Sequence, residues 1–424
     1  MRIIGDFHIH SKFSRATSKD MNLEKLAEWA KKKGLDIIGT GDFTHPGWFA
    51  ELKQKLTEEK PGLFKFKDDQ SAKAHFILTA EVSSIYSKAG KVRKIHNLIF
   101  APNLEAVKKI NDRLTRIGNL WSDGRPILGL DAKELLKIVL DAGPDCFLVP
   151  AHIWTPWFSL FGSNSGFDSL EECFEELSKE IFAVETGLSS DPEMNWRLSA
   201  LDKISLISNS DCHSPANLAR EANVFEIELN NLSYQEIKRI LKEKDSKKFL
   251  YTIEFFPEEG KYHYNGHRNC NISFDPAETK KHNLICPECG RRLTVGVIHR
   301  VDELADRKVG FKPKDVPGSR HLIPLSEIIA EVLGTAKLSK KVQDEYQKMV
   351  VGLGSELEIL LDLPPDKIAQ VSLPKVAQDI EKMRQGKVKK IPGYDGVYGK
   401  ISVLEESDSS SKITGQDLEQ PSLF

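Results

Sequence analysis

The chain has 424 residues, 40% of them hydrophobic, and a formal net charge of −2 at pH 7. That length exceeds one ordinary domain, and the near-neutral charge excludes a whole-molecule attraction to nucleic acid, so polyanion contacts must come from local patches. No apolar run could span a bilayer and no charged-then-apolar leader occurs, which predicts a cytoplasmic protein without a membrane partner.

Residues 1–254 read as alternating strands and helices. "MRIIGDFHI" is a strand, and "NLEKLAEWAKKKG" is an amphipathic helix with Leu23, Leu26 and Ala30 on one face and Gly34 just past its end. Strands follow at "LDIIGTGD", "AHFILTAEV", "KIHNLIFA", "CFLVPAH", "EIFAVET" and "KISLISNSD", with helices such as "NLEAVKKINDRLTRI" and "DAKELLKIVLDA" between several of them. The alternation predicts an α/β fold with a mainly parallel sheet or barrel whose functional residues sit at strand ends. Residues 255–317 change character: turn residues dominate and His and Cys cluster, as in a small metal module. Residues 318–402 read as a helical, basic domain, and 403–424 as a disordered polar tail.

Strand alternation lets His8 and His10 reach one ion, with Asp6 behind them. Other strand ends supply Asp42, Glu81, His96, His152, Asp211 and His213. Imidazoles with carboxylates are the ligand set of divalent zinc, manganese or iron, and several ions at one site suit phosphate ester hydrolysis. In the second module, His267-x2-Cys270 and Cys286-x2-Cys289 have the spacing of a tetrahedral structural zinc site, with His263 and His282 as other candidates for the histidine ligand. Six cysteines in this length make no disulfide framework; Cys146, Cys173 and Cys212 are expected in the core.

The motifs "DFHIHS", "GTGDFTH", "AEV", "KIHNLIF", "PAHIW" and "SNSDCHS" resemble those of the PHP (polymerase and histidinol phosphatase) family of metal-dependent phosphoesterases. The resemblance implies a distorted (β/α)7 barrel with one metal on His8, His10, Glu81 and Asp211, and a second on Glu81, His96 and His152. It implies two or three ions (zinc, manganese or magnesium) besides the structural zinc. For a third ion Asp42 stands where a histidine is usual, with His213 beside it. Asp211 paired with His213, together with Glu81, favours this pattern over that of an amidohydrolase.

The 170 or so residues beyond a roughly 250-residue barrel suggest a large substrate. Trp154 and Trp157 in the loop after His152 suit stacking on an extruded base, or packing of the barrel mouth. Arg291, Arg292, Lys387, Lys389 and Lys390 offer charge for DNA phosphates, or form a solvated face. "VETGLSSDPEMNWRLSALD", "KYHYNGHRNC", "CPECGRRLTVGVIHRVDELADR" and "VPGSRHLIPLSEIIAEVLG" together resemble the endonuclease Q family of DNA repair enzymes. That resemblance implies a nick 5′ to hypoxanthine, uracil, xanthine or an abasic site, leaving 3′-hydroxyl and 5′-phosphate ends. Glu185 or Asp191 would then act as acid or base beside Asp211, unless Asp191 and Asn195 only order their loop, and Arg197 could hold a phosphate. The terminal "QPSLF", with Gln420, Leu423 and Phe424, resembles a shortened sliding-clamp-binding motif. The rival readings are a phosphatase for a small phosphomonoester and a catalytically inactive zinc-containing DNA-binding protein.

Overall fold

A computed structural model describes residues 1–67 and 73–403. In the first 254 residues the strands are β1 (Arg2–Asp6), β2 (Ile37–Gly39), β3 (Leu56–Lys60), β4 (Leu63–Phe66), β5 (His75–Lys88), β6 (Lys91–Ala101), β7 (Ile127–Leu128), β8 (Phe147–Pro150), β9 (Ala183–Glu185), β10 (Ser205–Ile207), β11 (Ala222–Glu226) and β12 (Phe249–Glu254). Seven of them, β1, β2, β5, β6, β8, β9 and β10, follow one another around a centre as a distorted barrel. The ladders β1–β2, β2–β5 and β9–β10 are parallel, whereas β5–β6 and β6–β8 are antiparallel. Two gaps interrupt the ring. Ile153 N donates to the Glu185 carbonyl (3.0 Å) between β8 and β9, and Phe7 N donates to Asn209 Oδ1 (2.9 Å) between β10 and β1.

The mainly parallel sheet expected from the alternation is therefore corrected: the largest ladder is an antiparallel hairpin. Its cause is local. Ala89 and Gly90 both adopt left-handed backbone (φ 51° and 73°), the geometry of a two-residue hairpin turn whose twist matches that of the strands. A link that short can join only antiparallel neighbours.

Period-two alternation explains both the plug and the site above it. Ile77, Leu98, Phe100, Phe147, Val149, Ala183 and Ile207 fill the barrel as one apolar cluster. Continuing along the same faces, Ile77 leads through Thr79 to Glu81, Leu98 to His96, Ala183 to Glu185, and Ile207 through Asn209 to Asp211. One end of the barrel is thus apolar and the other ionisable. Outside, the helix Leu23–Lys33 is capped by Asn22, whose side chain accepts from Lys25 N, and by left-handed Gly34 (φ 91°).

Beyond residue 254 come β13 (Asn265–His267), β14 (Ile272–Phe274), β15 (Gly318–His321), β16 (Lys389–Ile391) and β17 (Lys400–Ser402). Two expected boundaries move. β15 pairs in parallel with β12, so the third segment begins by widening the barrel's sheet before its five helices (Leu325–Leu333, Lys340–Leu353, Glu356–Leu361, Pro365–Val371 and Pro374–Arg384). The β16–β17 hairpin returns to the metal module: Tyr264 N donates to the Gly393 carbonyl (2.9 Å), and Arg268 N to Asp395 Oδ2 (2.7 Å). Among the described residues no helix is long and apolar enough to cross a membrane. The tail motif Gln420, Leu423 and Phe424 lies outside the described residues.

Candidate active site

At the ionisable end of the barrel the strands bring together two groups of side chains that share Glu81. His8, His10, Glu81 and Asp211 offer one ligand atom each, all within 4.8 Å of one another, and so do Glu81, His96 and His152. Glu81 Oε2 lies 3.3 Å from His10 Nε2 and 3.6 Å from His8 Nε2, while Oε1 lies 2.7 Å from His96 Nδ1 and 3.1 Å from His152 Nε2. The two oxygens of one carboxylate therefore face the two groups.

Three of these candidate ligands, His8, His10 and Asp211, are held from behind. His8 Nδ1 meets both oxygens of Glu185 at 3.0 Å, and that buried carboxylate also accepts from His152 N (2.9 Å) and Asn209 Nδ2 (2.8 Å). His10 Nδ1 lies 3.1 Å from Asp42, whose other oxygen accepts from Ser11 N (2.6 Å), Ser11 Oγ (2.7 Å) and Ser14 Oγ (2.9 Å). Asp6 accepts from Ser210 N and Ala219 N (3.0 Å each), clamping both sides of the loop that carries Asp211. This is the carboxylate–histidine arrangement that fixes ring orientation in metal sites.

The residues fit divalent ions. His8 Nε2 is fully buried and has no hydrogen-bond partner, with Nδ1 already committed to Glu185, so its remaining nitrogen faces the Glu81 and Asp211 carboxylates at 3.6 Å, as a ligand to a shared cation would. Electrostatics agrees. Burial alone would lower His8, but Glu185, Asp211 and Glu81 outweigh it and hold the imidazole well above its ordinary value. His10 behaves likewise through Asp42, Asp211 and Glu81. Glu81 is driven well below the carboxylate range, against its burial, by His96, Arg125 and His8. Burial pushes His96 down to about 4, leaving it a neutral donor.

Backbone geometry singles out the same residues. Asp42, His152 and Asp211 all have left-handed backbone (φ 50°, 31° and 44°), a region sparsely used outside glycine and concentrated at functional sites. Two glycines permit close approach: a Cβ at Gly187 would strike the His152 side chain, and one at Gly124 would strike the Asp42 carboxylate. Gly124 brings Arg125 to Glu81 (Nη1 to Oε2, 3.1 Å), a half-buried cation beside the ligands that pattern reasoning missed. Nothing in the turn sequence "SDGRP" marks it. Exposed Trp121 lies on the same loop.

Several expectations are corrected. Glu185 has its oxygens filled by His8, His152 and Asn209, so it orients ligands and is not placed as an acid or base. Asp42 is likewise spent on His10 and the two serines, and among the described residues it forms no ligand group with His213, whose Nδ1 lies 3.1 Å from the Asp211 carbonyl. Asp191 caps the short helix Pro192–Asn195 through Met194 N (2.8 Å) and meets His321 Nε2 at 3.1 Å. Trp154 is fully buried against Phe161 with its Nε1 on Asn195 Oδ1 (2.8 Å), unavailable for stacking on DNA. Trp157 remains exposed, edge-on to Tyr262 of the metal module. Arg197 is buried and paired with Asp302 (2.7 Å), so it does not hold a phosphate. Lys390 pairs with Glu258 (2.8 Å), and all five cations, Arg291, Arg292, Lys387, Lys389 and Lys390, are exposed.

In the second module His267, Cys270, Cys286 and Cys289 form a further group of potential ligands. Backbone N–H groups of Cys289 and Glu288 overcome burial and bring the Cys286 thiol down to about 7, while burial and the neighbouring thiols raise Cys270 to about 11. His282 instead stacks on Phe274, and His263 on Tyr264. Cys146, Cys173 and Cys212 are buried.

A family model describing the MJ0043 C-terminal domain matches residues 324–387. The uncharacterized protein MJ0043 of Methanocaldococcus jannaschii is 34% identical over 296 residues, 68% of this chain and 35% of that protein, so the chain spans about a third of that relative's length. The uncharacterized protein YqxK of Bacillus subtilis is 31% identical over 412 residues, 94% of this chain and 99% of that protein. Among solved structures, the lesion-specific endonuclease PfuEndoQ from Pyrococcus furiosus has a TM-score of 0.84 at 35% identity, covering 97% of this chain and 98% of that one. Endonuclease Q in complex with a 27-mer duplex substrate, an abasic lesion at its active site, has a TM-score of 0.83 at 35% identity, covering 99% and 100%. Identity at this level along nearly its whole length, on the same fold, shows that the chain belongs to the endonuclease Q family.

Proposed function

We propose that this protein is a metal-dependent DNA repair endonuclease that cuts the phosphodiester on the 5′ side of a deaminated base (hypoxanthine, uracil or xanthine) or an abasic site, leaving a 3′-hydroxyl and a 5′-phosphate. The observation that carries the reading is the pair of ligand groups joined by Glu81, in a chain that aligns end to end with a lesion-specific endonuclease. Divalent ions held by these ligands supply charge neutralisation and an activated water for displacement at phosphorus. The chain's own residues do the rest. Arg125 stands against Glu81, able to take a phosphate oxygen. Glu185 and Asp42 hold the imidazoles of His8 and His10 so that their far nitrogens converge. Trp157 offers an exposed ring face near the site, suited to a base outside its stack. The zinc module and the exposed Arg291, Arg292, Lys387 and Lys389 are the proposed DNA-holding surface, and the zinc is structural.

The test uses end-labelled duplexes with a single hypoxanthine, uracil or abasic site, and a divalent metal. One nick 5′ to the lesion is expected, and Asp211→Ala should reduce its rate by more than about 100-fold. Intact damaged duplex beside rapid hydrolysis of a small phosphomonoester would overturn the reading.

A further inference from the structure

Away from the metal ligands, a polar cavity of about 630 Å3 opens beside the tip of the β5–β6 hairpin. Lys91, Arg93 and Asn164 line it together with Arg300 of the metal module, and so do two carboxylates, Asp168, which pairs with Arg300, and Glu172, which accepts from Asp168 N (3.1 Å). Arg93 is only 8% exposed. Its partners are the Gly166 carbonyl and the face of Phe167 (4.0 Å to the centroid), both neutral, and its Nε has no hydrogen-bond partner. A buried guanidinium whose partners are all neutral is costly unless something anionic completes it. Arg300 donates to the carbonyls of Phe161 (3.1 Å) and Phe167 (3.2 Å) and pairs with Asp168, which stiffens the loop forming the wall. The opposite rim carries exposed Lys91.

Arg93 lies three residues from His96 on β6, nearer the hairpin tip, so its side chain leaves the opposite face of the strand from the candidate ligands. We propose that this cavity is a second phosphate-binding site, which takes a backbone phosphodiester of the bound duplex outside the metal site. The proposal rests on the endonuclease reading and specifies how that enzyme grips the strand it cuts.

The experiment measures binding of full-length protein to a lesion duplex by fluorescence anisotropy between 50 and 200 mM salt. Probes carry one neutral methylphosphonate at successive positions flanking the cut. Lys91→Glu and Arg93→Gln should each bind about tenfold more weakly, with the salt slope reduced by about one. In the unmodified protein one flanking methylphosphonate should cost a similar factor, and in Arg93→Gln the same probe should cost nothing further. Lys137→Glu, an equal charge change on the helix Ala132–Ala142, should leave binding unchanged. Because Arg93 is buried, its variant is first checked for an unchanged melting curve; exposed Lys91 tests the site without that requirement. Wild-type affinity and slope in Lys91→Glu, an equal loss in Lys137→Glu, or a methylphosphonate penalty that persists in Arg93→Gln would overturn the second site alone. A wild-type protein that neither binds nor nicks lesion DNA would overturn the endonuclease reading and this site with it.

Discussion

Beneath the ligand layer Glu221 and Glu254 are fully buried, and each has an oxygen without a partner. Burial raises both carboxyls well above their ordinary value, with Glu185 adding to the effect on Glu221 and Glu221 to that on Glu254. A carboxyl raised in the folded state stabilises fully below its unfolded value and loses that contribution as pH climbs through the folded one. The melting temperature is therefore expected to fall as pH rises above the ordinary carboxylate range, and less steeply in Glu254→Gln, as thermal melts at successive pH values would show. At this scale the sequence exposes candidate ligands better than their supports. His8, His10, Glu81 and Asp211 announce themselves by alternation at strand ends. Whether Glu185 or Asp42 binds a metal or a histidine depends on what fills its oxygens, and that is settled by partners such as Asn209 and Ser14, which carry no pattern. Trp154 and Trp157 sit three residues apart in one loop, and only packing separates the buried ring from the exposed one.

The β5–β6 hairpin departs from the expected parallel neighbours. Alternating strands and helices suggested parallel neighbours, yet "SKAGKV" is too short to contain a crossover, and its left-handed Ala89–Gly90 pair closes a turn. The β16–β17 hairpin was not legible, because its contacts lie more than a hundred residues away: Asp395 accepts from Arg268 N and Thr294 Oγ1 (2.6 Å) of the metal module. If the four ligands of that module hold a zinc, the hairpin depends on it. Cys286→Ala should lower zinc content by one ion per chain and loosen the hairpin backbone so that trypsin cuts faster after Lys387 and Lys389, read by metal analysis and by the time course of limited proteolysis.

Across the molecule, one buried contact fastens the helical part to the barrel. Lys33 Nζ lies 2.6 Å from Glu356 Oε2, both side chains almost wholly buried, and Tyr346 donates its hydroxyl to the same oxygen (2.7 Å). Removing one partner of such a pair strands the other charge. Glu356→Ala is expected to destabilise the chain by about 3 kcal/mol or more, measured by denaturant unfolding, and the double variant with Lys33→Met should recover much of that loss. Composition suggests three parts, since helical periodicity, clustered cysteines and strand alternation occupy different stretches. It does not mark the seams, because β15 joins the barrel's sheet through hydrogen bonds that any extended segment can make.

The left-handed backbone at Asp42, His152 and Asp211 has a price for the whole chain. Conformations of this kind cost on the order of 1–3 kcal/mol each, and the surrounding fold must carry that load whether or not substrate is present. Heat tolerance and competence are thus set against each other at the same three positions. A search for hardier variants would favour glycine or asparagine there and would return proteins that survive warming and no longer cut.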